Sequence, residues 1–241
     1  MPSTNSALIA ALKERPSPPP HGAVYRTDAQ TAGRGQGGNG WHSSPGANLT
    51  LSLLLRPDDL AVDRVFALTQ CTALAVREVV STSGPAQGVS VKWPNDVYVG
   101  NRKIAGILIQ NGLRGRHLQW SVVGIGLNVN ELGFPEPLRQ RATSLRELTG
   151  TPHDLDQIAQ SLYDALGRYY TFLETADWQG LERAYLHHLY RRGVVANYRN
   201  LATGRVFQGS ITGVDALGRL RMHTPGGACT FDLREVAFLP D

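Results

Sequence analysis

The sequence has few cysteines and no long hydrophobic run. No segment approaches about eighteen consecutive apolar residues, and the N-terminus has no basic stretch followed by an apolar one. Neither a membrane span nor a signal peptide is therefore expected. The two cysteines, Cys71 and Cys229, lie far apart and form no C-x-x-C pair, which argues against a disulfide framework and a zinc site. Together these absences predict a cytoplasmic protein.

The sequence also lacks a dense block of charge. Its 24 lysines and arginines and 20 aspartates and glutamates give a net charge of +4 and a pI near 9.3. This balance would permit nucleic-acid binding, but the basic residues are scattered, and the densest groups are only 114–116 and 191–192. A basic nucleic-acid-binding module is therefore a minor alternative, and DNA is not an expected partner.

Helix and strand signals alternate along the first part of the 241-residue chain. Three polar residues at 3–5 precede a short apolar run, so one of them is expected to cap a helix. The apolar residues at 49–55 alternate at first and then run together, as in a buried strand. Helical spacing over 58–80 predicts a long helix opened by Asp58 and Asp59.

Glycine and asparagine turns between β-branched runs then predict an antiparallel meander. The predicted strands are 89–93, 97–99, 102–110 and 117–127, with turns at 100–101 and 111–112 between the later ones. Two more helices are predicted, one capped by Thr151 with Pro152 in its first turn and one over 178–190.

From Gly193 the pattern changes to short strands, which predict a small all-β barrel of about fifty residues. These strands are expected at 194–198, 205–214, 219–223 and 228–236. The fold class predicted from these patterns is therefore α/β of the α+β type. Helices pack on a mixed, largely antiparallel sheet over residues 1–190, and the small barrel occupies 191–241.

A loop over 30–41 is the most distinctive stretch of the chain. Five glycines lie within eight residues around Arg34, and the loop ends at Trp41. Residues 41–46 cannot open a helix, which excludes the dinucleotide-binding fingerprint. Glycines let main-chain N–H groups approach an anion, and Arg34 adds a positive fork. The loop is therefore interpreted as a ligand cover, although an ordinary surface loop remains the alternative.

A second dense patch runs from Lys92 to Asp96 and is followed by Lys103 and Gly106. Pro94 cannot continue a central strand, so a tight turn should hold the two lysines and the carboxylate close together. Such a cluster could bind a phosphate, Mg²⁺ and a substrate carboxylate. The residues alone leave open an ordinary hairpin with solvent-facing lysines.

Six motifs that occur in the family order resemble those of the biotin protein ligases, the biotin–[acetyl-CoA-carboxylase] ligases. They are Gly33-Arg34-Gly35 with Trp41, Gly46-Ala47-Asn48-Leu49, Lys92-Trp93-Pro94-Asn95-Asp96, Lys103 to Leu108, Gly124 to Asn130, and Ala142-Thr143-Ser144-Leu145. The resemblance spans nearly the whole chain. It implies a class II synthetase-like catalytic domain followed by an SH3-like barrel.

The resemblance implies a two-step reaction. Biotin and ATP with Mg²⁺ give biotinyl-5′-AMP and pyrophosphate, and the biotinyl group then passes to a lysine of the biotin carboxyl carrier protein of a biotin-dependent carboxylase. The alternative enzyme is a lipoate or octanoate protein ligase or transferase, whose fold is similar. No covalent enzyme nucleophile is needed, so catalysis would depend on positioning and charge neutralisation.

The resemblance also implies roles for individual residues. The residues expected to bind biotin are Ser3, Thr4, Asn5, Gln30, Arg34, Gly35, Gln36, Lys103 and Gly106. Those expected to bind ATP and the adenylate are Arg34, Trp41, Lys92, Asn95, Lys103 and Asn128. Lys103, Arg34 and Asp96 are the expected catalytic residues. No protein-held metal site is implied, but Asp96 is the candidate ligand for the Mg²⁺ that accompanies the ATP phosphates.

The sequence departs from the family pattern in three ways. Pro2 replaces the acidic residue that usually precedes Ser-Thr-Asn, and the chain begins almost inside this motif, so we expect a short form without an N-terminal DNA-binding domain. Gln36 stands where many relatives have a second arginine, which would leave Arg34 as the loop's only permanent charge. Monomer and homodimer both remain open.

Overall fold

The computed structural model describes residues 1–14, 17–57 and 60–240. Its larger sheet has six strands in the order β1-β2-β6-β5-β4-β3. They are β1 (Val24–Arg26), β2 (Leu49–Leu55), β3 (Val89–Lys92), β4 (Asp96–Val99), β5 (Arg102–Arg114) and β6 (His117–Leu127). Every ladder between these strands is antiparallel. In the described ranges the parallel pairs are isolated bridges, such as Lys103 with Ala142.

The helices lie on both faces of this sheet. They are α1 (Thr4–Glu14), α2 (Phe66–Ser83), α3 (Leu145–Thr149), α4 (Leu155–Glu174) and α5 (Trp178–His187). Leu54 and Val122 contact Leu8 of α1, whereas the neighbouring Leu53 and Val123 join the main core under α2 and α4. Because successive strand residues point to opposite faces, β2 is buried on both sides. The predicted helices-on-sheet fold class is confirmed.

The predicted turn at Asn111 and Gly112 is wrong, because β5 continues to Arg114 and the turn follows it. A Cβ at Gly112 would lie 2.2 Å from the Trp120 side chain on β6. The absence of a side chain at Gly112 therefore leaves space for the indole ring. The register between β5 and β6 shifts at this point, between Gly112 and Leu113.

Tertiary hydrogen bonds also shift the beginnings of two helices. Asn130 binds the backbone N–H and C=O of His153, which holds this segment extended, and Asp154 instead of Thr151 caps α4 by accepting from two main-chain N–H groups. Ala61 pairs with His117 in an isolated bridge, and the long helix begins only at Phe66. Asp58 and Asp59, predicted to open that helix, lie outside the described residues.

The helix predicted over 178–190 ends earlier for a similar reason. Val91 of β3 donates to the carbonyl of His188 and accepts from the N–H of Tyr190, so these residues pair with the sheet. The N-terminal prediction is confirmed, since Ser3 caps α1 by accepting from the N–H of Ser6 at 3.2 Å.

The C-terminal residues form a five-stranded antiparallel sheet in the order β10-β9-β8-β7-β11. Its strands are β7 (Val195–Asn200), β8 (Val206–Val214), β9 (Leu220–Thr224), β10 (Gly227–Phe231) and β11 (Val236–Phe238). The single strand predicted over 228–236 is two strands, because Arg234 has a φ of 72° and the main-chain N–H of Asp232 donates to the Glu235 carboxylate across the reversal.

The two sheets share one continuous hydrophobic core. Trp93 Nε1 donates to the carbonyl of Gly218, between β8 and β9, at 2.8 Å. A Cβ at Gly218 would lie 2.5 Å from the ring of Phe66, which itself packs edge-on against Tyr185. None of the helices in the described ranges is long and apolar enough to cross a bilayer.

Candidate active site

A cleft of about 470 Å³ lies between the glycine loop, the start of α1, the middle of β5 and β6, and the segment 234–238 of the C-terminal sheet. It gathers all but one of the residues predicted for the site. They are Ser3, Thr4, Asn5, Gln30, Arg34, Gly35, Gln36, Trp41, Lys92, Asn95, Asp96, Lys103 and Gly106. The exception is Asn128, which does not line the cleft.

One end of the cleft is a buried polar group at the start of α1. Asn5 donates to the carbonyl of Leu108 at 3.1 Å, and its side-chain oxygen contacts the hydroxyl of Ser52. That hydroxyl also bonds Thr4 Oγ1 at 2.7 Å, and Thr4 N–H donates to Gln30 Oε1 at 2.9 Å. These side chains thus fix one another's orientation in a nearly water-free place, as recognition of a polar heterocycle requires.

Beneath the cleft, strand residues on the side of the sheet that faces α1 form two rows across β2, β6 and β5. Ser52, Gly124 and Leu108 are neighbours across β2, β6 and β5, and Gly126 pairs with Gly106 in the next such row. A Cβ at Gly124 would lie 2.1 Å from Asn5 Oδ1. The glycine therefore leaves the room that the polar group occupies.

Trp41 covers the second glycine row. A Cβ at Gly126 would lie 2.3 Å from the indole, and one at Gly106 would lie 3.2 Å from it. The main-chain N–H of Trp41 donates to the carbonyl of Gly33 at 3.0 Å. This bond fixes Trp41 at the base of the glycine loop. Its indole Nε1 is buried without a hydrogen-bond partner in the described structure. The indole ring therefore lies against the second glycine row and forms part of the cleft lining.

The charged end of the cleft is centred on Lys103. Its ammonium makes a 2.6 Å ion pair with Asp96 and lies 5.8 Å from the centroid of Trp41. The side chains of Lys103 and Asp96 are 33% and 20% exposed and both line the cleft, so the ion pair is open to it. Asp96 pairs with Gly106 across β4 and β5, and the Lys103 ammonium reaches back over Gly106, where an added Cβ would lie 3.0 Å from Nζ. This register brings Lys103 and Asp96 together.

Lys92 is the second ammonium at this end. It is partly buried between the rings of Tyr98 and Phe238, each centroid 4.9 Å from its Nζ. Burial lowers the pKa of this ammonium, Asp96 opposes the shift, and the positive charge of Lys103 adds to it. A bound phosphate would favour the charged form.

The side-chain amides of the two predicted asparagines, Asn95 and Asn128, both donate to main-chain carbonyl groups of the protein. The Asn95 amide donates to the carbonyl of Ile107, so it fastens the 93–96 turn to β5 even though it lines the cleft. Asn128 is 3% exposed, donates to the carbonyl of Thr143 at 3.0 Å, and has a buried Oδ1 without a partner in the described structure. Because Asn128 joins β6 to the segment before α3, its placement gives no support for a contact with ATP.

Other family-like motifs also hold the scaffold together. Glu131 is 4% exposed and accepts from the N–H and hydroxyl of Ser44 and from the side chain of Asn48 at 2.6 Å. Asn48 accepts in turn from the N–H of Val129, and Ser144 Oγ donates to the Glu131 carbonyl. These contacts fix the chain that leaves Trp41.

Arg234 lines the cleft but was not predicted. Its guanidinium would lie 3.6–3.7 Å from a Cβ placed on Gly37. Arg34 is the only charged residue within the loop over 30–41, and a second guanidinium approaches this loop from the C-terminal sheet. Only the packing of that sheet, with Arg234 in a left-handed turn, brings it there.

The cleft thus joins two chemically different halves. One half has neutral hydrogen-bonding groups, and the other has the ammonium groups of Lys92 and Lys103 with the Asp96 carboxylate. Two guanidinium groups complete the lining: Arg34 lies 3.5 Å from Ser6 Oγ at the start of α1, and Arg234 lies beside Gly37. Within the described ranges, no group of three or more His, Cys, Asp or Glu side chains could hold a metal ion. The arrangement suits a ligand with a neutral polar head and an anionic centre.

Comparison with known proteins gives a consistent result. A model of the biotin/lipoate A/B protein ligase family matches residues 1–128. The biotin–[acetyl-CoA-carboxylase] ligase of Paracoccus denitrificans is 30% identical over 241 residues, covering 98% of this chain and 98% of that protein. The bifunctional ligase/repressor BirA of Bacillus subtilis is 31% identical over 210 residues, or 86% of this chain, which spans 63% of that longer relative.

A solved structure extends the similarity to the whole fold. The biotin protein ligase from Aquifex aeolicus in complex with biotin and ATP superposes with a TM-score of 0.80 and is 25% identical. The match covers 99% of this chain and 95% of that one.

Proposed function

Because the chain belongs to the biotin/lipoate A/B protein ligase family, we propose that it is an ATP-dependent biotin protein ligase. It activates biotin as biotinyl-5′-AMP, releases pyrophosphate, and transfers the biotinyl group to a lysine of a biotin carboxyl carrier protein. A cytoplasmic location, and a monomer or a homodimer, stay predictions.

One observation carries this proposal: the buried polar group of α1 and the cationic end open into the same cleft. Thr4 and Asn5 bring oriented hydroxyl and amide groups to this cleft, the types of group with which a ureido ring forms hydrogen bonds. Lys103 then lies where the carboxylate of such a ligand meets the phosphates of a nucleotide.

The residues suggest how the first step is accelerated. A biotin carboxylate oxygen attacks the α-phosphorus, a bond to that phosphorus forms, and pyrophosphate leaves with the electrons of the broken P–O bond. Two anions must approach each other, so the compact charge of Lys103 and the planar fork of Arg34 act by neutralising them. The Lys103–Asp96 pair holds the ammonium ready and prevents it from moving out to solvent.

Mg²⁺ would enter this site with ATP and would neutralise charge on its phosphates. Asp96 is the one carboxylate among the described residues that line the cleft. Mg²⁺ typically takes one or two carboxylates together with substrate phosphates and water, so this donor set fits. The same carboxylate therefore serves Lys103 and is the candidate Mg²⁺ ligand.

Domain organisation also stays a proposal. The boundary between 190 and 191 falls in the connection between α5 and β7. Residues 1–190 contain most of the cleft, and residues 191–241 contribute Arg234, Val236, Ala237 and Phe238.

Calorimetric titration with biotin, with and without ATP, tests the function directly. Biotin should bind, and biotin-dependent pyrophosphate release should require ATP. Lipoate under identical conditions distinguishes the alternative enzyme, a lipoate or octanoate ligase or transferase. No biotin binding, or a preference for lipoate, would rule out the proposal.

We expect Gln36→Arg to slow the escape of preformed biotinyl-AMP. A charge-assisted hydrogen bond exceeds a neutral one by about 1 kcal/mol, which corresponds to roughly five- to tenfold in dissociation rate. Since Arg234 already lies beside the same loop, the gain should be larger in an Arg234→Gln background. Dissociation rates at two salt concentrations measure the effect, and matching rates for all variants would show that charge here does not govern retention.

A further inference from the structure

The ammonium of Lys92 is clamped by two aromatic rings from different sheets. Tyr98 lies on β4 of the larger sheet, and Phe238 is the final residue of β11, the last strand of the C-terminal sheet. Both ring centroids lie 4.9 Å from Nζ, and because Nζ is also 3.4 Å from the Tyr98 hydroxyl, it contacts Tyr98 at the hydroxyl edge of that ring. The position of this ammonium therefore depends on the C-terminal sheet as well as on its own hairpin.

The clamp leaves most of the donor capacity of Lys92 unused. An ammonium has three N–H donors. Within the described residues, Lys92 makes one long hydrogen bond, 3.4 Å to the hydroxyl of Tyr98, and no ion pair. Its partner across the hairpin, Asp96, is engaged by Lys103. Because Lys92 lines the cleft, its remaining donors are available to an anion there.

Phe238 is itself held firmly. Its ring packs edge-on against Tyr198 at 5.2 Å, and Tyr198 is fully buried. The following residue, Leu239, donates from its N–H to the carbonyl of Asn197 at 3.1 Å, and its carbonyl accepts from Arg191 at 2.9 Å. The ring thus provides a rigid wall for Lys92.

We propose that Phe238 is a positioning residue that holds the ammonium of Lys92 at the charged end of the cleft, where it meets the phosphates of ATP. This inference rests on the proposed function, because ATP is the anion that Lys92 would bind. Tyr98 alone would leave the ammonium free to turn toward solvent on its flexible stem. With the second ring in place, Lys92 meets ATP at little entropic cost.

The test measures KM for ATP and kcat of biotin-dependent pyrophosphate release. Phe238→Leu keeps an apolar side chain but removes the ring, and we expect KM for ATP to rise roughly 3- to 30-fold with little change in biotin affinity. Phe238→Tyr retains the ring and should restore nearly the original KM. Phe231→Leu is the matched control, since Phe231 stacks on Phe207 in the same sheet and lies outside the cleft lining.

A double-mutant cycle separates positioning from general packing. In a Lys92→Met background, Phe238→Leu should add almost nothing to KM for ATP. An unchanged KM in Phe238→Leu, or an equal rise with and without Lys92, would overturn the inference while leaving the ligase function intact. Absence of biotin-dependent pyrophosphate release by the unaltered protein would instead contradict the proposed function, and this inference with it.

Discussion

Lys103→Ala should nearly abolish formation of biotinyl-AMP. The ammonium faces the point where two anions react, and loss of one donor aimed at developing charge typically costs about 100- to 1,000-fold. The substitution also removes the partner of Asp96, which lies 2.6 Å away, and leaves its carboxylate to repel the phosphates. Pyrophosphate release with saturating biotin and ATP measures the loss.

Lys13→Ala is the matched control, because Lys13 is an exposed residue of α1 and does not line the cleft. It should leave the rate unchanged. Thermal unfolding should show that both variants are folded, since Lys103 is one third exposed and contributes little to the core. A folded Lys103→Ala variant that releases pyrophosphate within about threefold of the unaltered rate would contradict the role.

Alanine at two glycines of one strand should damage two different binding steps. In Gly124→Ala the new methyl group would lie 2.1 Å from Asn5 Oδ1, so Asn5 must move and loses its bond to Leu108. Each such hydrogen bond contributes about 1 kcal/mol, so the loss of one or two of them should lower biotin affinity roughly 5- to 30-fold. The affinity for ATP should change much less.

Gly126→Ala should show the reverse pattern. Its methyl group would lie 2.3 Å from the indole of Trp41 and would push the ring off the second glycine row. Trp41 is expected to contact the adenine base of ATP. Stacking of a base on an aromatic ring contributes about 1–3 kcal/mol, so the KM for ATP should rise roughly 5- to 100-fold. Biotin binding in the absence of ATP should be nearly normal.

Gly167→Ala controls for the substitution itself, because this exposed position in α4 leaves open space for the added Cβ. Alanine is favoured over glycine in a helix, so the Gly167→Ala variant should be as stable as the unaltered protein or slightly more stable. Calorimetry with biotin and steady-state kinetics with ATP separate the two steps. If both glycine variants lost the two ligands to the same extent, the division of the cleft into two halves would be wrong.

The sequence predicts the helices and strands better than the residues at which they begin and end, because tertiary contacts override local sequence signals. Asn111-Gly112 is a strong hairpin signal, yet the indole of Trp120 needs the space that Gly112 provides. Thr151-Pro152 resembles a helix start, but Asn130 holds His153 extended through two 2.8 Å hydrogen bonds. A single sequence does not reveal which distant side chain will claim a segment.

The site was predictable to the extent that its residues belong to contiguous motifs. Ser3 to Asn5, the glycine loop and the hairpin with Lys103 converge as expected. Ser52 was not predicted, because in the sequence it is a single polar residue within an apolar strand. Only the register of β2 against β6 places it under Asn5. Asn128 belongs to one of the motifs but donates to the carbonyl of Thr143 and does not line the cleft, so membership of a motif did not by itself identify a cleft residue.

The hydrogen bond from Trp93 to the carbonyl of Gly218 joins residues 125 positions apart. Proteins are synthesised from the N-terminus, so the hairpin that contains Lys92 and Asp96 leaves the ribosome long before the residues that complete its surroundings. Until then Trp93 and Phe66, 4% and 9% exposed in the finished structure, lack their covering. Nascent chains that stop short of Gly218 should therefore expose two large aromatic rings and depend on chaperones during that interval.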